Sequence, residues 1–262
     1  MADFFLSDQS FIGKCHPVTR LILLVLACLP PLVVDEAVPL SFILGLYLVG
    51  AIVSGASQNL WRVKWLILVF IVITVVLWPI FHQSPGKSLF RLGPFSPTSD
   101  SVIYGLSMGM RLVAFLVAGI IFLSATRIED ITFGLQKLGM PYRMSFALSL
   151  AFRLTPLFME TADQIAVAQK VRGLDLKAGG LIKRAGRYVA ILVPVLIAAL
   201  RRADGLALAL ESKGFGGAAS RTSIIEYQFS WRDPFWLITL AAFTALLVVY
   251  RFGMIRIKFF IF

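Results

Sequence analysis

Two tripeptides in this sequence place a single cation directly before a glycine: Val171-Arg172-Gly173 and Ser212-Lys213-Gly214. A guanidinium or ammonium carried to an exposed tip forms charge-assisted hydrogen bonds to carboxylates, so each tip can plug an acidic socket on a partner. The local alternative is a helix cap. A cation in the last turn gains about 0.3–1 kcal/mol against the helix dipole, and glycine is the residue that most readily ends a helix. For either motif alone that account suffices. Their repetition, on two segments too apolar for an ordinary cytoplasmic hairpin, favours docking.

Other patterns carry less. Pro85-Gly86-Lys87-Ser88 resembles the tail of a phosphate-binding loop. The full pattern requires glycine where Phe81 stands and a strand before it, so the segment reads as a loop and ATP must be handled by another chain. His16 and His82 are the only histidines and lie far apart; a metal site would need further donors beside them. Cys15 and Cys28 form neither a disulfide framework nor a metal cluster. Arg111 and Arg153 sit in apolar runs, where a charge is costly unless paired or close to an interface. Asp204 and Glu211 have Arg201 or a neighbouring subunit as candidate partners. The spans hold isolated charges rather than a clustered nucleophile, acid/base pair or metal set, which argues against a membrane-embedded transferase or protease.

The elements that must position the two tips are membrane helices. Of 262 residues, 58% are hydrophobic and 15% charged, with a mean hydropathy of +0.85, and several apolar runs suit a hydrocarbon core that takes roughly 17–25 helical residues. The runs are Leu21 to Val34 (interrupted late by Pro30 and Pro31), Val38 to Val53, Trp65 to Phe81, Val102 to Ser124 and Pro234 to Tyr250. A short polar loop with Arg62 and Lys64 between Trp61 and Trp65 is expected before the third run, and a loop over Ser84 to Asp100 after it. Gly105 and Gly109 form a G-x-x-x-G pair that permits close helix approach. The net charge of +11 has no nucleic-acid motif to accompany it, and accumulation of Lys and Arg on the cytoplasmic side explains it better.

Residues 126–233 hold 15 of the 25 Lys and Arg and 9 of the 14 Asp and Glu. This stretch and the Arg62/Lys64 loop are therefore expected in the cytoplasm, together with the N-terminus, four spans earlier. Arg251, Arg256 and Lys258 run against the same rule. Within the stretch, Thr126 is the expected N-cap of a short helix, Ile128 to Leu138, with Glu129 at the capping-box position. Gly139 ends it, and Pro141 opens the next helix at a first-turn position. That helix runs to Arg172 with a kink expected at Pro156. A second long helix starts after Gly179-Gly180, contains Pro194 and runs to Lys213.

These residues resemble the transmembrane (T) component of energy-coupling factor transporters, the ATP-driven importers of vitamins and metal ions. The similarity covers most of the chain: His16-Pro17-x-x-Arg20, the segment Thr126 to Arg143 with Leu138-Gly139-Met140-Pro141, Phe152-Arg153-Leu154-Thr155-Pro156, and the two Gly-terminated motifs. The resemblance implies an all-α membrane protein of about five transmembrane helices plus a cytoplasmic coupling domain with two long crossed helices. The implied division is a membrane domain over 1–125, a coupling domain over 126–233, and a last span with its tail over 234–262.

In that family the two motifs read Ala-Arg-Gly, and each arginine docks in one ATPase subunit. Arg172 matches the first, with Val171 in place of alanine; Lys213 stands where the second arginine is expected, with Ser212 before it. Lysine keeps the charge but loses the bidentate fork. The implied function is a non-catalytic scaffold in a prokaryotic cell membrane. Its partners are two ATPases, which hold the ATP and magnesium, a small substrate-binding membrane subunit, and the bilayer. No cofactor of its own is expected. Met144, Phe152, Met159, Leu192 and Leu196 are assigned to the substrate-binding subunit. A stand-alone secondary transporter is the alternative.

Overall fold

The computed structural model describes residues 13–81, 98–174, 180–217, 227 and 229–260. His82 and Pro85-Gly86-Lys87-Ser88 lie outside the described residues, as does the expected loop at Ser84–Asp100 up to its last three positions. Eight helices and no strand occur among the described residues: α1 (Pro17–Val33), α2 (Ala37–Val53), α3 (Ser57–Phe81), α4 (Ser99–Ala125), α5 (Ile128–Lys137), α6 (Tyr142–Val171), α7 (Leu181–Ser212) and α8 (Arg232–Phe260). They divide into two compact units, Met1–Met140 with Tyr227–Phe262, and Pro141–Glu226. The protein is an all-α membrane protein.

In the first unit α4 packs against α1, α2 and α3. Leu40, Ile43, Tyr47 and Ala51 follow helical spacing along α2 and meet Val113, Ala114, Val117 and Ala118 of α4, all buried. Gly105 and Gly109 set the approach of α3. A Cβ on Gly105 would stand 3.0 Å from the Thr74 carbonyl oxygen, and one on Gly109 would stand 2.6 Å from Thr74 Oγ1. The small pair thus brings two backbones together, the usual device where apolar packing against lipid offers no extra drive.

Among the described residues three helices contain stretches long and apolar enough to cross a bilayer: Ser57–Pro79, Ser99–Ala125 and Arg232–Arg251. The helices α1 and α2 have 17 residues each, about 25 Å at 1.5 Å per residue, the short end of the range. Their ends show that they run the same distance. At one end His16 N–H donates to Asp233 Oδ1 of α8 at 2.7 Å, and at the other Arg251 of α8 pairs with Asp35, just past α1, at 2.7 Å. So α1 runs parallel to the apolar stretch of α8 over its length. Helix α2 starts beside Asp35 and returns; α3 then begins near the end of α4, where Asn59 Nδ2 donates to Ser124 Oγ at 2.8 Å.

Polar clusters therefore close both ends of the apolar layer. At the first, Arg20 is 5% exposed. Its Nε donates to the Cys15 carbonyl at 2.9 Å, and its Nη1 to the Ala125 carbonyl at 3.1 Å and Asp130 Oδ2 at 2.8 Å. Its Nη2 donates to the Gly13 carbonyl. The Tyr227 hydroxyl donates to the other oxygen of Asp130, and burial, with that bond, pushes its pKa up to about 12. Burial lowers the pKa of His16, and its Nδ1 accepts the Val18 N–H and caps α1. At the other end, Arg111 donates to Asp35 and to the Val34 carbonyl, both at 2.6 Å, while Arg251 also donates to the Val33 carbonyl. One carboxylate and two helix-end carbonyls thus hold the two arginines, which accounts for Arg111 in an apolar run and for Arg251 against the charge rule.

Several boundaries differ from the sequence expectation. Arg62, Lys64, Trp61 and Trp65 lie on α3 rather than in a loop, because these residues extend a helix readily and its polar first turns need no apolar face. Helix α1 continues through Pro30 and Pro31. Pro31 leaves the Ala27 carbonyl without its helical donor, and the Tyr47 hydroxyl of α2 supplies one. The N-cap of α5 is Arg127, not Thr126, since Asp130 at N3 accepts the Arg127 N–H at 3.4 Å. Pro141 is the N-cap of α6 rather than its first residue, and α8 starts two residues early and runs on past Tyr250.

Gly105→Ala should force α3 away from α4 and destabilise the protein by about 1–3 kcal/mol. Gly119→Ala, at a site with open space, should not. Thermal unfolding in detergent, followed by circular dichroism, compares the two; equal midpoints would refute the close-approach role.

Candidate functional site

The second unit is built from α6 and α7. The first half of α6 is mostly apolar, apart from Arg143, Arg153, Thr155 and two serines, and its second half carries Glu160, Asp163, Gln164, Gln169 and Lys170. At its end Arg172 is the C-cap and Gly173 has φ +88°. The Gly173 N–H donates to the Lys170 carbonyl and the Leu174 N–H to the Gln169 carbonyl, each at 3.0 Å. This is the Schellman termination, which satisfies two carbonyls the helix leaves open. Helix α7 ends identically: Lys213 is the C-cap, Gly214 has φ +72°, and the Gly214 and Phe215 N–H groups reach the Glu211 and Leu210 carbonyls at 2.8 and 2.9 Å.

The same bond pair closes two other helices. After α2, the Gly55 and Ala56 N–H groups donate to the Ile52 and Ala51 carbonyls; after α5, those of Gly139 and Met140 donate to Gln136 and Leu135. The C-cap residues there are Ser54 and Leu138. Among the described residues this termination thus occurs four times, with a cation at the C-cap position in two of them. The turn does not require the charge. Arg172 and Lys213 are both exposed, and Val171 beside the first is 84% exposed.

Direction within the pair follows from its contacts. Gln169, near the end of α6, donates to the Ala190 carbonyl of α7 at 3.2 Å. Phe215, just beyond α7, packs on Phe146 and Tyr142 at the start of α6, with ring centroids 4.6 and 6.1 Å apart. The helices are antiparallel, so Arg172 and Lys213 stand at opposite ends of the pair, on the order of 40 Å apart along it at 1.5 Å per residue. Phe215 has no counterpart in the sequence reading. Its position one residue after the terminating glycine, where a Schellman turn usually takes a hydrophobic residue, was the available signal.

Met144, Phe152 and Met159 follow one another at near-heptad spacing along α6, and Leu192 and Leu196 are one turn apart on α7; all five are exposed, from 42% for Phe152 to 64% for Leu192. Val189 and Leu200 extend the α7 stripe and are also exposed. An apolar surface of this length marks an interface with protein or lipid. Arg153, Arg201, Asp204 and Glu211 are exposed as well. Among the described residues no group of three or more His, Cys, Asp or Glu is placed to hold a metal ion.

Residues 10–224 match the family model of CbiQ, the cobalt transport protein. Among curated proteins, the chain is 31% identical over 242 residues to the energy-coupling factor transporter transmembrane protein EcfT of Brevibacillus brevis, covering 87% of this chain and 89% of that one. It is 28% identical over 258 residues to the protein of the same description from Bacillus subtilis, covering 94% and 96%. A third so described, from Acidaminococcus fermentans, is 26% identical over 257 residues, covering 94% of each.

Since the turns form without a cation, Arg172→Ser and Lys213→Ser should each cost at most the dipole contribution, about 0.3–1 kcal/mol. Gly173→Val and Gly214→Val, which force a branched side chain to positive φ, should cost about 1–3 kcal/mol. Chemical unfolding in detergent ranks them, and serine variants weaker than valine variants would make the cations structural.

Proposed function

The chain belongs to the CbiQ family of cobalt transport proteins, and from that membership we propose that it couples two ATPase subunits to a substrate-binding membrane subunit in an energy-coupling factor importer. That it is a membrane component of such a transporter follows from the family; the partners and their docking residues are our reading. The observation that carries it is the pair of C-cap cations, on turns that the same chain builds elsewhere without charge. An exposed cation with no need to stabilise its own helix is free to serve a partner.

Opposite placement on α6 and α7 supports two docking events rather than one. A single acidic groove cannot take both tips at this separation, whereas two ATPase subunits can each take one. Arg172 offers a planar fork to a carboxylate and Lys213 a point charge, so the first contact is the more directional. Truncating one partner of a buried interfacial charge pair costs about 2–5 kcal/mol, and reversing the charge costs at least as much. The exposed stripes through Met144, Phe152 and Met159 and through Leu192 and Leu196 are the surfaces assigned to the substrate-binding subunit, whose cargo is a vitamin or metal ion. ATP and magnesium are held by the ATPases, which perform the hydrolysis.

The positive-inside rule gives the orientation. On that rule the end of the apolar layer that carries Arg20, Asp130 and Asp233 is assigned to the cytoplasm. Asp35, Arg111 and Arg251 face outward.

Co-purification in detergent with ATPases co-expressed from the same organism tests the docking role. Arg172→Glu and Lys213→Glu should each weaken retention by more than about tenfold, equivalent to about 1.4 kcal/mol, and the double variant should lose both ATPases while its circular dichroism stays unchanged. Full retention by the folded double variant would reduce the cations to helix caps. Transport by the purified chain without any ATPase would establish the secondary transporter instead.

A further inference from the structure

The geometry points to a binding surface for anionic phospholipid headgroups on the first turns of α3. Trp61, Lys64, Trp65, Leu68, Val72 and Val76 recur at helical spacing and so share one face. The apolar members are exposed: 70% for Trp61, 69% for Trp65 and 52–59% for the other three. That face is a stripe for acyl chains topped by two indoles, the side chains that settle at the boundary between hydrocarbon and headgroup. Two cations stand at the same level. Lys64 Nζ lies 4.0 Å over the Trp61 ring, and Arg62 Nη1 donates to Asn59 Oδ1 at 3.4 Å.

Asn59 is itself fully buried and held by Ser124. Arg62 is therefore steered from a fixed point and is not a free surface charge. Both cations are exposed, α3 contains no acidic residue, and neither cation meets a carboxylate among the described residues. Their remaining donors face the headgroup level, where phosphate oxygens accept. A zwitterionic lipid offers its phosphate beside a competing ammonium, whereas an anionic lipid presents net negative charge. Each cation near such a surface contributes on the order of fivefold in affinity. The partner is thus an anionic glycerophospholipid seated with its chains along Leu68, Val72 and Val76.

Native mass spectrometry of the full chain, released from detergent containing equal amounts of phosphatidylglycerol and phosphatidylcholine with the same acyl chains, tests this. Wild type should retain phosphatidylglycerol several-fold over phosphatidylcholine, and Arg62→Gln with Lys64→Gln should bring the ratio towards one. Arg201→Gln with Arg202→Gln, an equal charge change on exposed positions of α7, should leave it unchanged. Trp61→Ala with Trp65→Ala should lower retention of both lipids. No preference in wild type, an unchanged preference in the α3 cation variant, or an equal loss in the α7 variant would overturn the proposal.

Discussion

A guanidinium withdrawn from water must meet a full set of acceptors, and breaking a buried ion pair by removing one partner costs about 3–5 kcal/mol. Arg20 meets that demand by drawing four segments to one point: its own turn at Gly13 and Cys15, the last carbonyl of α4, Asp130 of α5, and through Asp130 the hydroxyl of Tyr227. Asp233, fully buried, adds the start of α8 by accepting the N–H groups of His16 and Ser230, each at 2.7 Å. Helix order at this end of the membrane unit follows from satisfying one cation and two carboxylates. Gly134 completes it, since a Cβ there would stand 2.6 Å from Leu21 Cδ1 and 3.3 Å from the Pro17 backbone.

The opposite end is tied by the inverse arrangement, one carboxylate between two arginines. With both ends fixed, the helices between them need only be apolar: most residues in the spanning stretches of α3 and α8 are exposed or half-buried, while α3 packs along α4 and α8 along α1. The short α1, of 17 residues, is tied at both ends, by the His16 N–H on Asp233 at its start and by Arg251 on the Val33 carbonyl and Asp35 at its close.

Much of this was legible in the sequence. The apolar runs marked five apolar helices, because a hydrocarbon core selects on length and composition; among the described residues three of them are long and apolar enough to cross a bilayer. Glycines following Lys137-Leu138, Arg172 and Lys213 marked three helix ends, because positive φ excludes most other residues. His16-Pro17-x-x-Arg20 stood out as a motif. Its partners did not: Asp130 and Asp233 lie far along the chain, and no periodicity links an arginine to a carboxylate more than a hundred residues away. Arg111 posed the same problem, since its partner Asp35 reads as an ordinary turn residue. The start of α3 was missed because composition separates polar from apolar, not loop from helix. For the tips, the decisive comparison was with Ser54 and Leu138. A sequence shows glycines but does not show that four of them make the same turn.

Arg172 and Lys213 are proposed to serve two separate partners. The most direct measurement places a photo-crosslinking amino acid at Val171 and at Ser212, beside each cation, in the chain co-expressed with the proposed ATPase partners. Irradiation of the doubly labelled protein should give a product of one chain joined to two ATPase subunits, with each single label giving a one-to-one product. A one-to-one product from the double label, or crosslinks to no ATPase from either position, would contradict it.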